Sequence, residues 1–268
     1  MKTNGGKISI LIVAAALLAL CSGCSLFSDP VQVESPSDLT VEELLARREA
    51  ATDPSGAYKN ARTFYMRQVV TRPSEGIFDS DTKTVIETRF QKPEIFKMTS
   101  FTGNQPVSEV IFNGSEVVRV DLKAMTVTNI TGDELDILRT SFVFGAPGSD
   151  LRSVFRDIRI VMVTIDNVDY YKLICVPALS DRVPVFEVLV DSRDYLTSSF
   201  KAIGTTGDDR SFVYEGTIDS YSNYDDVMIP DHCTMRSGRD KWNSQVVRFL
   251  LGVPFDEKTF EFPRVAEE

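Results

Sequence analysis

From Pro54 onward the hydrophobic pattern recurs every second residue and holds that period for most of the chain. A period of two is the spacing of strands with one buried face, so the chain is committed to a β fold. The strands predicted are 62–71, 82–91, 94–101, 107–112, 116–121 and 125–130, then 157–165, 168–176, 184–191, 194–203, 211–222, 231–237 and 243–251, with an extended tail at 258–262. Turn signals fall between them, and Asn113-Gly114 is a strong hairpin signal. Such a succession of strands with short turns specifies a large antiparallel sheet or barrel.

Helices are predicted in few places. Thr40-Val-Glu-Glu43 is a capping box, and it opens a helix over about 39–51 with Leu39, Leu44, Leu45 and Ala46 on its apolar side. A helix over 133–139, with Phe142 and Phe144 behind it, and a shorter one at 149–155 interrupt the strands. Strand 184–191 is apolar on both faces: Phe186, Val188 and Val190 on one, Val185 and Leu189 on the other. Periodicity alone leaves two explanations open. One is a sheet simply covered by helices; the other is a curved sheet whose concave face is an apolar pocket closed by the helices at 39–51 and 133–144.

The start of the chain obeys different rules. Lys2 and Lys7 precede an uncharged apolar run, Ile8–Leu20, too short to span a bilayer comfortably. The run ends in Leu20-Cys-Ser-Gly-Cys24, which resembles a lipobox. The expectation is a lipoprotein signal peptide at 1–23, with Cys24 as the lipidated residue. Residues 24–37, polar and proline-broken, are expected to be a tether, and 38–268 a single domain. Several acyl chains on Cys24 would anchor the protein stably. Ser25 after the cysteine favours the outer membrane, facing the periplasm.

Charge narrows the partners. The chain carries −10 overall and −12 once Lys2 and Lys7 are removed with the leader. An acidic chain without a basic run argues against nucleic acid and against docking on anionic lipid. Cys175 and Cys233 both fall in predicted strands, and whether they pair is open at this level.

Catalytic chemistry finds little support. His232 is the only histidine, and it stands in Asp231-His232-Cys233 with no Gly-x-Ser-x-Gly elbow in the chain. Asp225, Asp226, Asp231, His232 and Cys233 lack the paired spacing of a zinc motif and read as a turn with its acids. The reading is a non-enzyme with no cofactor and no metal.

Four segments, in order along most of 39–263, resemble one family. They are Arg89-Phe-Gln-Lys-Pro-Glu-Ile-Phe-Lys97, Val110-Ile-Phe-Asn-Gly-Ser-Glu-Val-Val118, Phe186-Glu-Val-Leu-Val-Asp-Ser-Arg-Asp-Tyr-Leu196 and Phe255-Asp-Glu-Lys-Thr-Phe-Glu-Phe262. Together they are similar to the periplasmic lipoprotein carriers and receptors of the LolA/LolB type, the outer-membrane lipoprotein-sorting proteins. The resemblance implies a mainly β fold with α, an unclosed β-barrel whose helical lid covers a cavity for acyl chains. It also implies a lid latch just before the corner proline; Lys92 stands there in place of the family's arginine. An anchored protein cannot shuttle, so a receptor or lipid-binding role fits better than a soluble carrier's.

An acyl-chain site needs apolar lining with few polar groups. The candidates are Phe90, Phe96, Met98, Val110, Phe112, Phe186, Val188 and Phe249, with Phe142 and Phe144 from the lid. The expected protein is a monomer in the cell envelope that binds an acylated lipoprotein or lipid. The alternatives are a regulatory sensor that binds a protein partner on the same fold, and a structural lipoprotein whose barrel is filled by its own side chains.

Overall fold

A computed structural model describes residues 32–74, 81–145, 151–178, 183–205 and 211–263. The leader, Cys24 and most of the expected tether lie outside them. The strands are β1 (Val33–Pro36), β2 (Thr63–Arg72), β3 (Thr82–Gln91), β4 (Ile95–Thr102), β5 (Gln105–Phe112), β6 (Val117–Asp121) and β7 (Thr126–Ile130). They continue as β8 (Phe155–Ile165), β9 (Val168–Pro177), β10 (Val185–Asp191), β11 (Thr197–Thr205), β12 (Ser211–Tyr224), β13 (Val227–Ser237) and β14 (Asp240–Leu251). Between them come α1 (Val41–Thr52), α2 (Ala57–Asn60) and α3 (Asp133–Gly145).

All the strands join one antiparallel sheet in the order β1-β8-β9-β10-β11-β12-β13-β14-β2-β3-β4-β5-β6-β7. Two meanders, β2–β7 and β8–β14, meet where β14 pairs with β2. β1 and β7 remain as edges, so the sheet does not close. This order dictates where the helices go. The chain leaves β7 at one edge and re-enters at β8 beside the other, so the connection that carries α3 must cross a face of the sheet. The chain from edge strand β1 to central strand β2 makes a second crossing, which carries α1 and α2.

The predicted capping box is present. Thr40 Oγ1 accepts from the Glu43 backbone N–H, and Glu43 Oε2 accepts from Thr40 N–H at 2.8 Å. Leu44 of α1 is fully buried, with Leu39 and Val41 beside it, against Val70 and Ile86 of one meander and Leu173, Phe186 and Val188 of the other. Burial of such a leucine contributes roughly 2 kcal/mol. α1 thereby ties the two meanders together.

Three segments depart from expectation. Val33–Pro36, expected as tether, pairs with β8 from Val33↔Thr164 to Pro36↔Val161. Its side chains are exposed, so no alternation marks it, and an edge strand tolerates the proline. The tail at 258–262 is not extended: Asp256 Oδ1 accepts from Lys258 N–H and folds Glu257–Phe260 into a 3-10 turn that buries Phe260. The shorter helix expected at 149–155 is reduced to a 3-10 turn at Leu151–Ser153.

Close approach explains one glycine. Gly216 of β12 faces Phe200 of β11, and a Cβ there would stand 2.4 Å from the Phe200 ring. The bare backbone leaves room for that ring.

Candidate functional site

The strand register gathers the predicted residues into rows on the helix-covered face. One row runs Leu251–Phe64–Phe90–Phe96–Phe112–Val117–Ile130 across seven consecutive strands of the sheet, each a direct cross-strand partner of the next. The adjacent row runs Phe249–Met66–Thr88–Met98–Val110–Arg119. Six of the predicted residues therefore occupy two neighbouring rows. Phe90, Phe96, Met98, Val110 and Phe112 pack as one cluster with Leu138 of α3. Phe96 and Phe112 meet edge-to-face at 5.8 Å.

Phe249 belongs to a second cluster with Tyr58, Val227 and Ile229. Phe64, which the sequence reading passed over, joins the two. Its ring stacks on Phe90 at 4.8 Å and on Phe249 at 5.6 Å. Phe186 and Val188 lie elsewhere, in the cluster under α1 with Phe155, Leu173 and Cys175. The structure thus splits the predicted lining between two regions of the same face. The backbones of Phe142 and Phe144 are helical as expected, but their side chains lie outside the described residues.

Polar groups frame the aromatic rows. Arg119 of β6 makes an ion pair with Glu134 at the start of α3. The guanidinium of Arg139 lies 5.5 Å from the centre of the Phe112 ring. Thr140 is fully buried, and among the described residues its hydroxyl has no hydrogen-bond partner; neither do the Nε atoms of Arg119 and Arg139.

Lys92 lies just before Pro93, at the start of the β3–β4 corner. Its ammonium donates to the carbonyl oxygens of Tyr58 at 2.6 Å and Lys59 at 2.9 Å. Burial holds its pKa below the usual lysine value. At the other end of α2, Asp53 accepts from the backbone N–H groups of Tyr58 and Lys59 at 3.1 and 2.8 Å. An anion at the first turn and a cation at the last fix this short helix from both ends. Lys92 therefore holds the segment that follows α1.

The histidine cluster is on the other face. His232 Nδ1 lies 2.9 Å from Asp231 Oδ2 and 3.2 Å from Ser220 Oγ. A catalytic triad places serine and acid on opposite ring nitrogens, whereas here both contend for one. Ser220 and His232 border an open groove of about 580 Å³ with Thr71, Lys83, Asp219 and Gln245. Asp225 and Asp226 form the β12–β13 turn with positive φ, as expected, but Asp231, His232 and Cys233 are inside β13. No cluster of three metal-ligating side chains occurs among the described residues. Cys175 and Cys233 are free, on β9 and β13 with three strands between them in the sheet, and burial pushes both thiols up to about 12.

No family profile matches the chain, and no curated protein matches it in sequence. Solved structures do. A DUF1329 family protein from Desulfovibrio piger is 12% identical over 82% of this chain and 95% of its own, with a TM-score of 0.57. A LolA superfamily protein from Nitrosomonas europaea is 11% identical over 84% of this chain and 98% of its own, with a TM-score of 0.58. A Vibrio parahaemolyticus domain named for outer membrane lipoprotein sorting is 11% identical over 82% and 93%, with a TM-score of 0.50. At such identities the likeness is one of architecture, and the unclosed antiparallel sheet crossed by helices in this chain is the LolA-like fold.

Proposed function

We propose that the protein is an envelope lipoprotein, anchored in the outer membrane through Cys24, that takes up an acyl chain of a lipoprotein or lipid between α3 and the aromatic rows. The observation that carries this reading is the stack Phe64, Phe90, Phe96 and Phe112 beside Met98, roofed by α3 through Leu138. Apolar burial at about 25 cal/mol per Å² would drive uptake. The buried polar atoms of Thr140, Arg119 and Arg139 that have no partner among the described residues support it, since a finished core leaves few such groups. In this reading residues 1–23 are the leader, the half-barrel acts as a monomeric binding protein, and no cofactor, metal or catalysis takes part.

Close packing favours a second reading, because Phe96, Val110 and Phe112 are 3%, 2% and 2% exposed. A sheet face filled by its own side chains would make the protein a structural lipoprotein. Mass spectrometry of lipid extracted from residues 25–268, purified without detergent, separates the two. Stoichiometric phospholipid or acylated peptide is expected. A clean extract, together with no saturable uptake of a hydrophobic dye, would leave the structural reading.

A further inference from the structure

We propose that Arg48 anchors a subsite for an anionic head group, so that the ligand is an acyl chain bearing a phosphate or a carboxylate. This inference rests on the acyl-chain reading above and adds the class of head group to it.

Arg48 follows Leu44 by one turn of α1, on the side that packs against the sheet. Among the described residues, its side chain hydrogen-bonds from Nε to Thr197 Oγ1 at 3.1 Å. No carboxylate of the described residues makes an ion pair with it, although Arg89, Arg119, Arg152 and Arg193 each have one. In so acidic a chain, a half-buried cation with no counter-ion among the described residues is not for want of acids. Burial holds its pKa down, and the groups that act on it electrostatically are a tyrosine and a cysteine, Tyr221 and Cys175. Tyr221 is itself committed, donating to the Thr197 carbonyl at 2.7 Å.

A second observation lies along the same face. The Gln68 side chain donates through Nε2 to Ser244 Oγ at 3.3 Å, and its buried Oε1 has no partner among the described residues. Ser244 is the cross-strand partner of Cys233, which in turn interacts electrostatically with Tyr221. A strip of polar side chains thus runs from Arg48 through Tyr221 and Cys233 to Ser244 and Gln68. Among the described residues, a guanidinium without an ion pair stands at one end and an acceptor without a hydrogen-bond partner at the other, as a head group with both an anionic and a hydroxyl function requires. The planar fork of a guanidinium matches phosphate and carboxylate oxygens in pairs, and such bonds are about twice as strong as neutral ones.

The test compares two ligands with the same chain, monopalmitoyl lysophosphatidic acid and monopalmitin, binding to residues 25–268, which keep every element described above. The phosphorylated lipid is expected to bind at least about tenfold tighter, the equivalent of one charge-assisted contact. Arg48→Gln should bring the ratio close to one, and Arg48→Lys should retain part of it. Equal affinities in the unmodified chain, or a preference that survives Arg48→Gln, would overturn the proposal. If neither lipid binds, the acyl-chain reading fails, and inorganic phosphate alone decides the subsite. Calorimetric phosphate binding that disappears in Arg48→Gln supports it, and no phosphate binding by the unmodified chain overturns it. Should Arg48→Gln not fold, the lipid ratio of the unmodified chain and of Arg48→Lys carries the same decision.

Discussion

The Lys92 ammonium donates to the Tyr58 carbonyl oxygen at 2.6 Å while standing 4.7 Å from the centre of that tyrosine's ring. One cation therefore holds a residue by its backbone and by its side chain. Tyr58 in turn lies 5.8 Å from Phe64, so the corner before Pro93 is connected through α2 to the aromatic rows. Lys92→Met keeps most of the stem and removes the charge and donors. It is expected to lower stability by about 1–2 kcal/mol, the sum of a charge-assisted hydrogen bond and a partly exposed cation–π contact. Hydrogen exchange should quicken first over residues 53–61. Unchanged protection there would show that the contact does not hold the helix.

Phe64 carries the second prediction. It touches Phe90 on one side and Phe249 on the other, so truncation should disturb two clusters at once. Phe64→Ala is expected to cost about 3 kcal/mol, within the usual range for a phenylalanine in a packed face. A double-mutant cycle with Phe90→Ala should return a coupling of about 1 kcal/mol, as stacked pairs do. Strict additivity in urea unfolding would mean that the two rings do not support each other.

How far this site is legible in the sequence depends on the residue. Phe90, Phe96, Met98, Val110 and Phe112 can be picked by alternation alone, because their strands pair with short turns and in simple register. Phe64 obeys the same alternation within RTFYMRQVVT, yet its importance comes from β14, a partner about 180 residues away in the chain, as in the pair Leu250↔Tyr65. Phe186 and Val188 look equivalent to the others in pattern, and only the sheet order puts them in the other meander. Arg47 and Arg48 are adjacent in the sequence and chemically identical. Arg47 is exposed and donates to the Tyr195 hydroxyl at 2.5 Å, whereas Arg48 turns inward. No helical periodicity distinguishes an inward cation from a solvated one when the apolar stripe is as short as that of α1. β1 and α2 escaped for a simpler reason: four residues are too few to show a period.

The thiols give a third prediction. Cys175 and Cys233 are free, and burial raises both so far that little thiolate exists near neutral pH. Thiolate is the reactive form. Residues 25–268 should therefore react slowly with a disulfide reagent at pH 8 when folded, and with both thiols at once in denaturant. A non-reduced sample that yields no free thiol after unfolding would mean that the two are bonded.

The last prediction concerns pH and the turn between β10 and β11. Asp191 accepts from the Arg193 backbone N–H at 2.9 Å, from its Nε at 2.9 Å and from its Nη2 at 2.5 Å. The Arg193 side chain is the main reason its carboxyl titrates below the usual aspartate range, and the backbone N–H adds to the effect. A lowered pKa means that the folded state binds fewer protons than the unfolded one. The stabilisation is thus fully present above about pH 4 and is lost as pH falls through the lowered value. Arg193 is 73% exposed, so solvent screens the pair and the contribution is about 1 kcal/mol. Asp191→Asn should lower stability by that amount at pH 7 and equally at pH 5. Towards pH 3 the gap between the two proteins should narrow, because the unfolded chain's carboxyl then takes up a proton before the folded one does. Urea unfolding at each pH measures it, and a gap that already closes between pH 7 and pH 5 would assign the effect to a different group.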